Sequence, residues 1–128
     1  MNTTFKIAIA VVAGAALGAA AVQGLHAQAK PKAYLVTEIE VLDAAAADAY
    51  GALIRPAQAA AGAHVFRTAG GKIVSFEGAT PPKRVAIAEW DSMDQVQAYY
   101  DSAARKNLLP QRDKAEKIVR AYAVEAVN

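Results

Sequence analysis

Alternating apolar and polar residues predict that the folded part of the chain begins with a β-strand. In AYLVTEIEVL, residues 33–42, leucine, isoleucine and valine fall on one face of an extended chain and polar side chains fall on the other. A helix is expected next, because Asp43 can cap the alanine-rich run that follows it. Pro56 should kink or restart this helix, and Gly62 is a natural end for it.

Two short β-rich segments, Ala63–Ala69 and Lys72–Glu77, flank Gly70-Gly71. They predict a β-hairpin, since a two-residue turn of this kind needs positive φ angles that glycine adopts readily. After a proline-containing loop, Lys83–Trp90 is predicted to be a further strand.

A second helix is indicated by a capping box, with Ser92 as N-cap and Gln95 three residues later. Residues 107–117 are predicted to form a loop and a short helical turn, and Ile118–Val127 a final strand.

The predicted order of elements, βαββαβ, is that of an α+β, ferredoxin-like fold, an antiparallel sheet with helices on one face. The other sheet face is left bare. In a chain of this size we expect a second copy to cover it, which predicts a homodimer joined through its sheets.

The first 29 residues are predicted to be a secretory signal peptide. Lys6 precedes an uncharged run, Ile7–Val22, and Ala27-Gln28-Ala29 has the small-x-small pattern of a cleavage site. This run is shorter than the roughly 20 residues that span a bilayer. We therefore expect cleavage after Ala29, a domain comprising residues 30–128, no membrane attachment after cleavage, and a periplasmic or secreted location.

The charge balance argues against a nucleic-acid partner. The chain has 14 Lys and Arg residues against 12 Asp and Glu, and loss of Lys6 with the signal peptide leaves a net charge of about +1. It contains no cysteine, so its stability must come from the core and from any partner subunit.

The most specific motif is Pro81–Arg84 leading into a strand, with Glu89 near its end and Tyr99-Tyr100 followed by Ser102 on the next helix. Together with AYLVTEIEV, RTAGGKIVSFEG and RDKA, this motif resembles the domain-of-unknown-function family thirteen-thirty over residues 32–127. The resemblance implies a fold of the dimeric α+β barrel superfamily, which also contains antibiotic-biosynthesis-type monooxygenases. It implies no particular activity, because the family has no established general one.

Glu89 is the first candidate for chemistry. Strand alternation puts it on the face opposite Trp90, which is expected to pack against the helices. Glu89 would then point into the space between two sheets, where it could pair with Arg67 across strands. The pair could provide a general base and a ligand anchor, or it could be a buried structural ion pair.

The other candidates each have a structural alternative. Arg84 could hold a carboxylate or phosphate at the cavity mouth, or protect a strand edge. Tyr99 and Tyr100 suit a small-molecule pocket or a dimer interface equally well. His64 could be a general base or an ordinary surface histidine. The cationic residues between 105 and 117 alternate with acidic ones and are interpreted as a solvated face.

We expect neither a metal ion nor a cofactor. His64, the one histidine left after cleavage of the signal peptide, does not make a metal site without a Cys, His or Glu cluster, and the chain has no phosphate-binding or dinucleotide-binding glycine motif.

The sequence thus predicts an exported homodimer that binds a small molecule. A first alternative, which the resemblance to the superfamily implies, is a cofactor-independent oxygenase, isomerase or lyase, with Glu89 as base, Arg67 or Arg84 holding an anion, and Tyr99 or Tyr100 orienting the substrate. A second alternative is a structural homodimer without a ligand. Whether the protein is an enzyme is left open.

Overall fold

The structure is a computed structural model that describes residues 29–65, 68 and 70–127 of the 128-residue chain. Apart from Ala29, the predicted signal peptide lies outside the described residues. Within that described part, no helix has both the length and the apolar character needed to cross a membrane.

In the part of the chain that the structure describes, four strands form one antiparallel sheet in the order β2-β3-β1-β4. The strands are β1 (Ala33–Val41), β2 (Ala63–Val65), β3 (Arg84–Trp90) and β4 (Glu116–Glu125). The sequence-based fold class is confirmed: the chain has the ferredoxin-like βαββαβ arrangement, with the two longest strands, β1 and β4, paired side by side.

Among the described residues, four helices connect the strands: α1 (Ala44–Ala60), α2 (Met93–Asp101), α3 (Ala103–Lys106) and α4 (Leu109–Ala115). Asp43 caps α1 by accepting a hydrogen bond from the backbone N–H of Ala46 (2.7 Å), as predicted. Contrary to expectation, α1 continues through Pro56. Pro56 and Ala52, whose carbonyl loses its helical partner there, are both exposed, so water can hydrate that carbonyl.

The predicted hairpin is wrong in its second arm. Lys72–Glu77 forms no strand, and all six of its side chains are exposed, Phe76 at 91%. The strand that pairs with β2 is β3 instead, with His64 opposite Glu89. The preference of a residue for β-strands reflects how well its side chain packs on a half-buried surface. The side chains of Lys72–Glu77 pack on no such surface among the described residues.

The core lies between the sheet and the helices. One cluster of buried residues joins both layers: Ala33, Leu35, Ala63, Ala88, Trp90, Val96 and Tyr99. Trp90 is fully buried, and its ring centroid lies 5.3 Å from that of Tyr99 on α2. This confirms the prediction that Trp90 faces the helices.

A β-bulge interrupts the pairing of β1 and β4. Glu38 pairs with Arg120, but the next residue, Ile39, pairs with Ile118, so Val119 is an extra residue in β4. Because side chains alternate along a strand, the extra residue reverses the alternation. Odd-numbered residues of β4 face the helices after the bulge, and even-numbered ones face them before it.

Candidate functional site

A cavity of about 230 Å³ lies between the helix-facing side of the sheet and the helices. The volume is many times the roughly 10–15 Å³ that one water molecule needs, so a small organic molecule can occupy it. Its uncharged walls carry aliphatic and aromatic side chains, which include Leu35, Ile39, Tyr50, Ile54, Tyr99, Tyr100 and Ile118.

Cations outnumber anions around this cavity. Four arginines line it, Arg55, Arg84, Arg105 and Arg112, together with two carboxylate residues, Asp48 and Glu116. An excess of positive charge in a partly closed space with apolar walls raises the local concentration of anions. The electrostatics of the cavity therefore favour an anionic ligand.

Three of these arginines are held in place by neighbouring groups. Arg55 Nε donates a hydrogen bond to the carbonyl oxygen of Gly51 (2.9 Å). Arg105 donates a hydrogen bond to the carbonyl oxygen of Tyr100 (3.1 Å), and its guanidinium lies 4.1 Å from the centre of the Tyr100 ring. Arg112 donates from Nε and Nη2 to the same carboxylate oxygen of Asp113, at 3.0 and 2.7 Å. Arg84, the first residue of β3, lines the cavity and forms no side-chain hydrogen bond or ion pair with any residue in the described ranges.

Glu116 is the buried carboxyl group of the cavity. It is only 7% exposed, and β4 begins with it on the helix side because of the bulge. Burial raises the pKa of this carboxyl, and the charges of Arg84 and Arg112 offset only part of that effect. A raised pKa makes the carboxylate of Glu116 a stronger base than a solvated glutamate, which suits proton transfer with a ligand.

Two tyrosine hydroxyls complete the polar lining. Burial raises the pKa of Tyr50 to about 12 and also raises the pKa of Tyr99, so both hydroxyls keep their protons at neutral pH. The Tyr99 hydroxyl is buried and has no hydrogen-bond partner among the residues that the structure describes. A buried donor without an acceptor is rare, and Tyr99 is one of the residues that line the cavity.

The chain matches the family described as "Domain of unknown function (DUF1330)" over residues 32–127. It belongs to the DUF1330 family. The resemblance drawn from the sequence is thereby confirmed.

Solved structures share this fold at low sequence identity. SnoaB from Streptomyces nogalater, a cofactor-independent oxygenase, is 14% identical, with a TM-score of 0.56 over 77% of this chain and 95% of that one. RPA0582 from Rhodopseudomonas palustris, a protein of unknown function, is 13% identical, with a TM-score of 0.58 over 84% and 91%. These likenesses establish the fold alone. No curated protein matches the DUF1330 chain.

The cavity brings together three of the predicted site residues of this DUF1330 protein. Arg84, Tyr99 and Tyr100 all line it. Arg67 lies outside the described residues, so its predicted contact with Glu89 remains a prediction.

Glu89 and His64 lie on the opposite face of the sheet from the cavity. Glu89 pairs with Lys32, and the hydrogen bond from Lys32 lowers the pKa of this carboxyl. His64 Nε2 lies 3.0 Å from Asp91 Oδ1. A glutamate held in its ionised form by a lysine is a weak base, so this geometry gives Glu89 less basic character than the enzyme hypothesis requires.

Sequence reasoning missed most of the residues that line the cavity, among them Tyr50, Arg105, Arg112 and Glu116. Helical periodicity places Tyr50 only on the apolar stripe of α1. The other three belong to the segment interpreted as a solvated face, which is wrong for them because each is buried or half-buried. Helical periodicity could have brought Arg105 and Arg112 to notice, but no motif marks Glu116, whose orientation depends on the bulge.

Within the described ranges, no group of three or more His, Cys, Asp or Glu residues is placed to bind a metal ion.

Proposed function

We propose that this DUF1330 protein binds a small organic anion with an apolar or aromatic body in the cavity between its sheet and helices. The observation that carries the proposal is the lining itself, four arginines against two carboxylate residues beside aliphatic and aromatic walls. Such a site recognises two parts of one ligand, a charged group and a hydrophobic body.

Arg84 supplies the contact for the charged group. Its planar guanidinium matches a carboxylate in a bidentate arrangement, and the described residues make no competing side-chain bond to it. Leu35 and Ile54 supply apolar contacts for the body of the ligand, and the Tyr99 hydroxyl supplies one further donor.

The test compares benzoate with benzamide, which has nearly the same shape but no charge. We expect benzoate to bind more tightly in isothermal titration, with NMR shift changes at cavity residues. Arg84→Gln should weaken benzoate binding about 10-fold or more, because a charge-assisted hydrogen bond is worth roughly 1.5–3 kcal/mol. Lys83→Gln, at the exposed neighbouring position, is the matched control and should leave binding unchanged. Equal affinity for the two compounds would contradict an anion site.

Export and dimerisation belong to the same proposal. Removal of residues 1–29 leaves a domain whose open sheet face carries exposed apolar side chains, among them Tyr122 and Val124 on β4. A second copy of the sheet would cover them, as in dimeric α+β barrels. A native mass spectrum of protein from the periplasmic or secreted fraction should give a dimer of chains that begin at Lys30. A monomer would contradict dimerisation, and a chain that retains Met1 would contradict export with cleavage of the signal peptide.

Catalysis is the second candidate function. SnoaB is a cofactor-independent oxygenase of the same fold, and the cavity of this chain contains a buried carboxyl with a raised pKa. Glu116 therefore replaces Glu89 as the residue to test for proton transfer. If neither binding nor turnover is found, the structural homodimer without a ligand is the remaining hypothesis.

A further inference from the structure

We propose that Glu116 is a general base that removes a proton from the carbon next to a carbonyl group of the bound anion, so that the protein catalyses keto–enol tautomerisation of 2-oxo acids with an apolar or aromatic body. The inference rests on the proposed function, because the carboxylate of such a substrate needs the arginine-lined cavity. It goes beyond binding by assigning a reaction and the residue that carries it.

The first argument is a comparison among the buried polar residues. Three polar or charged residues in the described part are buried, Glu38, Ser92 and Glu116. Ser92 accepts the capping hydrogen bond from the backbone N–H of Gln95 (3.3 Å), and Glu38 accepts one from Arg120 Nη2 (2.6 Å). Glu116 is buried to the same extent, yet it forms no side-chain hydrogen bond or ion pair with a described residue.

This difference matters because folding does not favour a buried carboxyl without a partner. A structural buried carboxylate is normally hydrogen-bonded or paired, since the desolvation of an unpaired charge is costly. Glu38 fits that description and Glu116 does not. A residue that costs stability and lies on the wall of a cavity is better explained by chemistry with a ligand.

The surroundings of Glu116 suit proton abstraction. The charged and titratable groups that face it are Arg84 from β3, Arg112 from α4 and Tyr50 from α1. Burial raises the pKa of Glu116, which makes its carboxylate a stronger base than a solvated glutamate. The two guanidinium groups are placed to stabilise negative charge on the substrate.

The reaction is balanced without an oxidant or a cofactor. The Glu116 carboxylate takes the proton from the carbon, the C–H electron pair forms a C=C bond, and the carbonyl π electrons move to oxygen to give an enolate. Arg84 or Arg112 stabilises that oxygen. Glu116 then returns its proton to the enolate oxygen, which yields the enol and regenerates the carboxylate.

The experiment uses phenylpyruvate, an aromatic 2-oxo acid with an enolisable CH₂ group, in D₂O. Loss of the C3 proton signal by NMR reports proton abstraction, and the rate in buffer alone is subtracted. We expect the protein to accelerate exchange, with a rate that rises with pH as Glu116 ionises. Glu116→Gln should reduce the enzymatic rate about 100-fold or more, since general base catalysis contributes roughly 10²–10⁴-fold. Glu40→Gln, at an exposed glutamate on the other sheet face, should leave it unchanged.

Two further measurements separate the possible failures. Binding of phenylpyruvate is measured by titration on the same samples, and Glu116→Asp provides a second variant that should keep the pH dependence with a lower rate. If phenylpyruvate binds but exchange is not accelerated, or if Glu116→Gln exchanges at the wild-type rate, the inference is overturned while the binding proposal stands. If phenylpyruvate does not bind, the inference is overturned, and the comparison of benzoate with benzamide decides the binding proposal by itself.

Discussion

Gly62 joins α1 to β2 in a backbone conformation that other residues rarely adopt. Its φ angle is +105°, and a Cβ atom at this position would lie 2.7 Å from Gln95 Oε1 of α2. We expect Gly62→Ala to cost about 1–3 kcal/mol from the backbone alone. The Gln95 amide is the end of a flexible side chain, so moving it to another rotamer should add only about 0.5–1.5 kcal/mol.

The assay is urea unfolding of the two single variants and the double variant Gly62→Ala/Gln95→Ala. In the Gln95→Ala background the contact is gone, so most of the cost of Gly62→Ala should remain if the backbone term dominates. Gly51→Ala is the control, because Gly51 lies inside α1 and a Cβ atom there would meet only the Arg55 side chain, at 3.5 Å. That change should stabilise the protein by about 0.5–1 kcal/mol.

Two results would refute this reasoning. In one, Gly62→Ala leaves the free energy of unfolding unchanged; in the other, Gly62→Ala destabilises the protein but no longer does so in the Gln95→Ala background. The first would show that the turn tolerates an L-residue, and the second that the side-chain contact, not the positive φ angle, requires glycine here. A difference of 1 kcal/mol corresponds to roughly 4–8 °C in Tm for a domain of this size, so thermal melts provide a check on the urea data.

Three further predictions concern the site and its supports. The pKa of Glu116 is raised in the folded state, so the ionised carboxylate destabilises the fold at pH values above that pKa. Stability is regained as the pH falls through the folded-state pKa and the carboxyl becomes protonated. Glu116→Gln should therefore raise Tm at pH 8, with a smaller gain at pH 4; a gain independent of pH would contradict the reasoning. Tyr99→Phe removes a hydroxyl with no described partner and should change the free energy of unfolding by less than about 0.5 kcal/mol, whereas a loss above about 1.5 kcal/mol would reveal a bound partner. Ser92→Ala removes the cap of α2 and should cost about 1 kcal/mol in urea unfolding, while Ser75→Ala, in an exposed segment, should cost nothing measurable; equal costs would argue against the cap.

The order of strands and helices could be predicted because its signals are local. The Ser92 cap, the glycine at the end of α1 and the alternation that turns Trp90 toward the helices each act within a few residues. The arm Lys72–Glu77 was mispredicted because strand propensity does not reveal whether a partner strand exists.

The site was harder to predict because a cavity is defined by what the packed elements leave open. Alternation correctly grouped Arg84 with Trp90 on the helix side, but it could not show that space remains there. The same alternation drew attention to Glu89, on a face where it is paired with Lys32. Glu116 could not be placed at all, because one extra residue in β4 reverses the pattern ahead of it.

The bulge at Val119 also bears on how changes in chain length should be judged. Glu38 and Ile39 already pair with Arg120 and Ile118, so a chain that lacks Val119 could keep both halves of β4 in register and Glu116 in place. A chain of full length that lost the bulge by slipping one residue would instead turn Lys117 inward. A related protein that is one residue shorter in this strand can therefore keep a glutamate at the position of Glu116. A related protein of equal length that lacks the bulge would instead place a lysine there.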